Sequence, residues 1–156
     1  MRSSRIKSLI VVCIAYLIAI SIGIYTVSFY NSSLFFRVLA ADILATVIIY
    51  IFSFIYRNSS IYDPYWSVIP PFILIYYIVD NGCLNLQSTL LLFSVLFWSI
   101  RLTFNWLRGW PGIHHEDWRY VDMRNHSGKY FEFSNFLGIH LFPTLIVFAC
   151  CLPMYS

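Results

Sequence analysis

Charge is scarce in this chain: Asp, Glu, Lys and Arg make up 11% of 156 residues, where a soluble domain averages about a quarter. The scarcity excludes an ordinary water-soluble globule. With 60% hydrophobic and 20% aromatic residues and a mean hydropathy of +0.72, so small a domain lacks the interior to hide its apolar surface. Lipid must therefore be the main solvent. Glycine and proline are also few, six each, and no repeat, low-complexity tract or flexible linker divides the chain, which reads as one membrane domain over residues 1–156. A cysteine framework is missing too. Cys13, Cys83, Cys150 and Cys151 show no regular spacing, and they read as buried small hydrophobes rather than disulfide partners or metal ligands.

What the chain has in abundance is long apolar runs. A helix needs about 20 such residues to cross a bilayer core of about 30 Å. Residues 8–29, 34–56, 86–107 and 133–152 qualify, and 66–79 forms a shorter fifth candidate. The expected fold is an all-α, polytopic transmembrane helix bundle of about five spans. The first run exceeds a signal-peptide core and has no small-residue cleavage site, so it reads as an uncleaved anchor. Pro70 and Pro71 should kink or unwind the start of the third span, and Pro143 interrupts the fifth.

The basic residues orient the bundle. A cytoplasmic N-terminus puts Arg2, Arg5, Lys7, Arg57, Arg101, Arg108, Arg119, Arg124 and Lys129 inside and leaves Arg37 outside, in agreement with the positive-inside rule. This asymmetry accounts for the formal charge of +3 without any nucleic-acid partner. It also places the sizeable polar segment, residues 108–132, in a cytoplasmic loop.

Few polar residues remain, and each has two readings. Asp42 lies about eight residues inside the second span, where a carboxylate is expensive and points to function. A helix–helix hydrogen bond beside the small Ala41 and Ala45 would explain it equally. Asp63, held out of the helical region by Pro64 in "YDPYWSVIPP", suits a helix cap, or a cavity-facing proton donor, acceptor or anchor; spacing favours the cap. In "RLTFNWLRGW", Arg101, Asn105 and Arg108 share one helix face. They suit phosphate, because arginine offers forked donors and keeps its charge, or else interfacial anchoring beside Trp98, Trp106 and Trp110. The stretch "HHEDWRY" (114–120) lacks metal-ligand spacing, since adjacent histidines cannot share one helix face. Glu116, Asp117 and Arg119 there could lock the loop to Arg101, Arg108 or Arg124, or clamp a ligand.

Taken in order, "YDPYWSVIPP", "RLTFNWLRGW", "HEDWRY" and "FLGIHLFPTLIVFACCLP" resemble the steroid 5-alpha-reductase-like integral membrane proteins, in particular a bacterial and protist branch known as a domain of unknown function. The resemblance covers residues 55–153. It implies a membrane reductase that holds NADPH at its cytoplasmic side and reduces carbon–carbon double bonds of a sterol-like or other lipid substrate. Asp63 matches the family carboxylate that polarises the substrate carbonyl, although it is Asp rather than Glu. The partner tyrosine of that family falls on Trp98, which donates a hydrogen bond but not a proton. Arg101, Asn105 and Arg108 resemble the cofactor-side stripe, with Glu116, Asp117, Arg119 and Tyr120 as the pocket floor. The C-terminal cofactor half of the family is not in this sequence, which implies a truncated or split member with that half encoded separately. Two other classes stay open: a non-catalytic membrane protein that binds lipid or a partner through residues 108–132, and, with no inverted repeat to support it, a small transporter using Asp42.

Overall fold

The computed structural model describes residues 2–82 and 84–155, with side chains described from Ser4 to Met154; Cys83 and the side chain of Arg2 lie outside the described residues. The described backbone is helical, with no strand. Helix α1 is Arg2–Phe29, α2 Leu34–Tyr56, α3 Tyr65–Asn81, α4 Leu86–Gly109 and α5 Trp118–Ser127. A last helical run begins with α6, Phe131–Ser134, passes through a wider π-helical segment, Asn135–Leu141, and ends in α7, Phe142–Cys151.

Local chemistry sets several of these boundaries. Asn85 and Ser88 form a reciprocal capping box that starts α4, each side chain bonding the other's backbone N–H, at 2.8 and 3.0 Å. Arg57 closes α2 in the left-handed region, at φ 49°, and Gly82 closes α3 in the same way. Pro70 and Pro71 do not unwind α3, which is continuous from Tyr65. Both prolines are buried, near the start of the helix. Pro143 does not end the run; it lies in the first turn of α7, directly after the π-helical segment.

Four stretches, Ser4–Phe29, Leu34–Tyr56, Leu86–Gly109 and Trp118–Met154, are long and apolar enough to cross a membrane, and the chain is a multi-pass integral membrane protein. The remaining expected span, α3, has 17 residues, about 25 Å of rise. Its two ends are fixed differently. At its C-terminal end, Arg37 of α2 bonds Asp80 at 3.2 Å and the Tyr76 hydroxyl at 2.9 Å. At its N-terminal end the incoming connection tucks into the bundle, and the Tyr16 hydroxyl of α1 donates to the Ile61 carbonyl at 3.0 Å.

Packing between α1 and α2 rests on small residues. Ala15, Ala19, Ala41 and Ala45 are all buried, and a Cβ at Gly23 would sit 4.0 Å from the Ala41 carbonyl. Backbones can therefore approach closely, the main source of helix association where lipid removes the hydrophobic drive. Away from this seam α1 carries exposed Leu17, α2 exposed Phe54 and Ile55, and α4 exposed Phe93 and Phe97, as a lipid-facing surface should. Cys13 and Cys150 are exposed and only Cys151 is buried among the described cysteines, so the expectation of buried cysteines holds for one of the three. In lipid an exposed thiol carries little penalty.

Candidate functional site

The polar centre of the molecule is the connection between α2 and α3, where Asn58, Ser59 and Ser60 are all buried. Buried polar groups need partners, and a second segment supplies them. The Asn58 amide donates to the carbonyls of Ile113 and His115 at 2.7 and 2.9 Å, and its oxygen accepts from the Ser60 N–H. Glu116 accepts the Ser59 N–H at 2.8 Å, and the Ser60 hydroxyl accepts the Asp117 N–H at 2.8 Å. Ser59 also donates to Asn135 of the π-helical segment at 3.0 Å. Gly112, at φ 136°, lets this second segment pass against α1, where a Cβ would come within 3.0 Å of the Ser8 hydroxyl.

Residues 108–132 are therefore not simply a loop. They contain α5, whose N-cap is Asp117, accepting the Arg119 N–H at 2.9 Å. Glu116 takes Arg124 through both oxygens, at 3.0 and 3.1 Å, while Asp117 pairs with the guanidinium of Arg119 at 2.8 Å. Of the arginines expected to lock this segment, Arg124 does so and Arg101 and Arg108 do not.

Asp63 is not a helix cap; Pro64 occupies the N-cap position of α3 without a side-chain bond. Its Oδ1 instead accepts the Tyr120 hydroxyl at 2.5 Å, joining positions 57 apart in sequence. Burial pushes the Asp63 carboxyl up to about 6, against the pull of that hydrogen bond. Asp117 moves the other way: the bond from Arg119 holds it below the ordinary carboxylate value. Two carboxylates in one neighbourhood thus differ in protonation tendency.

The face of α4 is different in character. Arg101, Asn105 and Arg108 are exposed. Arg108 lies over the Phe104 ring at 5.9 Å, and none of the three has a hydrogen-bonded or ion-paired side chain among the described residues. Trp98 is also exposed, 41%, and takes no part in the Asp63–Tyr120 bond. His114 and His115 are exposed, and no cluster of three His, Cys, Asp or Glu that could hold a metal occurs among the described residues.

A second polar set lies within the apolar part of the bundle. Asp42 Oδ1 accepts the Tyr65 hydroxyl of α3 at 2.8 Å, the helix–helix bond that was one of its two readings. The Thr144 hydroxyl meets those of Thr46 and Tyr62, both at 2.8 Å. His140 reaches Ser53 at 3.1 Å and, across the π-helical turn, the Asn135 carbonyl at 3.1 Å. Sequence reasoning did not single out Asn58, Ser59, Ser60, Tyr65, Asn135 or His140. The signal available was the run "NSS" directly after a hydrophobic span, a turn-forming cluster whose burial no local pattern reveals.

No curated protein and no solved structure matches the chain. The family profile described as "Protein of unknown function (DUF1295)" matches residues 49–156. That stretch contains the buried turn, Asp63, α4 and the Glu116–Tyr120 segment, so the site and the family coincide. The chain belongs to the DUF1295 family of proteins of unknown function.

Proposed function

We propose that the chain carries a substrate-polarising site of an NADPH-dependent membrane reductase acting on carbon–carbon double bonds of sterol-like or other lipid substrates. The observation that supports this reading is the 2.5 Å hydrogen bond between Tyr120 and Asp63. It joins a phenol, which donates to the carboxyl, to a carboxyl raised by burial to about 6, so below about pH 6 the carboxyl keeps a proton of its own to donate to a carbonyl oxygen. A carbonyl conjugated to the double bond, once it accepts a hydrogen bond from this pair, becomes electron-poor at its β carbon. Tyr120 supplies the phenol that Trp98 lacks, which makes Tyr120, rather than Trp98, the partner of Asp63 in this reading.

NADPH would supply the hydride for that β carbon, and water would supply the proton for the α carbon, so that one hydride and one proton together saturate the bond. Arg101, Asn105 and Arg108 fit the phosphates of such a cofactor, because they are exposed and their forked donors are free of carboxylates. Glu116, Asp117 and Arg119 fit it less well, since each is engaged with the turn or with a neighbouring charge. Their work is to hold Tyr120 against Asp63.

A titration of the purified, detergent-solubilised chain with NADPH, followed by tryptophan fluorescence, tests the reading. Saturable binding is expected, weakened about ten-fold or more in Arg101→Ala and Arg108→Ala, the loss of a charge-assisted contact. Absence of saturable binding, with these substitutions changing only the affinity for anionic vesicles, would overturn it. That result would favour the non-catalytic lipid-binding reading, for which exposed Trp118, Lys129 and Tyr130 provide a surface.

A further inference from the structure

We propose that α4 is an interface helix, covered by a transmembrane helix of another membrane protein that sets a carboxylate against Arg101. Among the described residues of α4, Ser99 alone is buried. Thr103, one turn on, meets the Ser67 hydroxyl of α3 at 3.0 Å, which fixes the side of α4 that faces the bundle. At about 100° per residue, Gln87, Ser94, Arg101, Asn105 and Arg108 fall within an arc of about 60° on the opposite side. All five are exposed. Gln87, Ser94, Arg101 and Arg108 follow one another at every seventh position, the repeat along which a second helix packs.

Hydrocarbon does not suit this stripe. Helix α4 has 24 residues, about 36 Å of rise against a bilayer core of about 30 Å. Arg108 therefore reaches the boundary, while Arg101 lies about 12 Å from the Gly109 end. Snorkelling is poorly served at that depth, because the Cα–Cβ bond of a helical residue tilts toward the helix N-terminus, here away from the nearer surface. A guanidinium so placed needs a counter-charge.

The chain has none to give. Of its seven Asp and Glu, Asp42 and Asp63 accept tyrosine hydroxyls, and the rest meet Arg37, Arg119, Arg124 or His126. A second copy is unsuited for the same reason and for another. Copies share one orientation, so their two-fold axis runs along the membrane normal and sets Arg101 against Arg101 and Arg108 against Arg108. The occupant must bring the negative charge, and a carboxylate matches the forked donors of arginine. Asn105, four positions on, adds an amide donor to the same face. Phosphate on this stripe is compatible with such a partner, since a guanidinium carries five donors. A phosphate is no better suited to hydrocarbon than an arginine is, so the partner helix also walls the proposed cofactor side.

The purified chain, reconstituted in phosphatidylcholine vesicles without pyridine nucleotide, tests this independently of the reductase reading. The probe is a fluorescent Leu/Ala transmembrane peptide with one glutamate about 12 Å from its end, and binding is read as energy transfer from a dye on the chain. It is expected to bind about ten-fold more tightly than the same peptide with leucine or lysine in place of the glutamate, the worth of one polar bond between membrane helices. Arg101→Leu should remove that preference. Equal binding of the three peptides, or a preference that Arg101→Leu leaves intact, overturns the proposal. So does a preference lost when phosphatidylglycerol replaces the neutral lipid, which would assign Arg101 to lipid headgroups. A disulfide between copies through Ser94→Cys, in a background free of the native cysteines, overturns it too and assigns the seam to a second copy of the chain.

Discussion

At the scale of single residues, the pairing of Asp63 with Tyr120 makes a prediction about pH. Burial raises the Asp63 carboxyl from 3.8 to about 6, so the fold favours its neutral form. The contribution of this group to stability is therefore fully present below about pH 4 and is lost as pH rises through about 6. Asp63→Asn keeps the neutral shape, and the acceptor for Tyr120, at every pH. Denaturant unfolding in detergent should find wild type and Asp63→Asn alike near pH 4. Above pH 7 the wild type should be the less stable, by an amount of the order of 2 kcal/mol. A difference that stays flat across this range would count against the burial of a titrating carboxyl. Nothing in the sequence near Asp63 announces Tyr120, which lies 57 positions on; proline at 64 made a helix cap the natural local reading, and a long-range contact replaced it.

The elements show where local pattern suffices and where it does not. Spans α1, α2 and α4 were legible because an apolar run of about 20 residues has few alternatives in a polar medium. Helix α5 was not, because "WRYVDMRNHS" is polar and ten residues long, and such a helix is held by its cap and its neighbours rather than by periodicity. The π-helical segment was hidden for a related reason. Its wider turn accompanies the bonds of His140 to Asn135 and Ser53, and the second of these depends on α2. The seam between α1 and α2 was half visible, as Ala41 and Ala45 on α2 suggested small-residue packing, while Ala15, Ala19 and Gly23 on α1 passed unnoticed among larger residues. This seam carries the second prediction. Ala19 is 1% exposed, so Ala19→Leu must push the two helices apart, at a cost of about 1–3 kcal/mol. A thermal unfolding series in detergent should rank Ala19→Leu well below Leu17→Ala, whose side chain faces lipid at 65% exposure. Equal effects would mean that α1 and α2 do not meet along this face.

For the whole molecule, the consequence is orientation. Arg5 of α1 donates to the Leu107 carbonyl at the end of α4, which joins the N-terminus to the side where residues 110–117 lie. Arg37 and Asp80 meet at the other end. With the N-terminus cytoplasmic, a cysteine at Leu84 should react with a membrane-impermeant maleimide in intact cells, and one at His126 only after permeabilisation, in a background free of the native cysteines. The reverse pattern would invert the bundle. Such inversion would also move Arg101, Asn105 and Arg108 away from the nucleotide-containing compartment, so the labelling bears on the proposed cofactor side as well.

The buried turn at 58–60 also has a dimension in time. Its polar groups are satisfied by Glu116, 57 positions later, and by Asn135, 76 positions later. At roughly 5–20 residues per second, Glu116 leaves the ribosome roughly 3–11 s after Ser59. Throughout that interval the Asn58 amide N–H, the Ser59 N–H and the Ser59 hydroxyl are without these partners and are left to water. The centre of this bundle must therefore stay wet while its helices enter the membrane, and it dries only when the last part of the chain arrives.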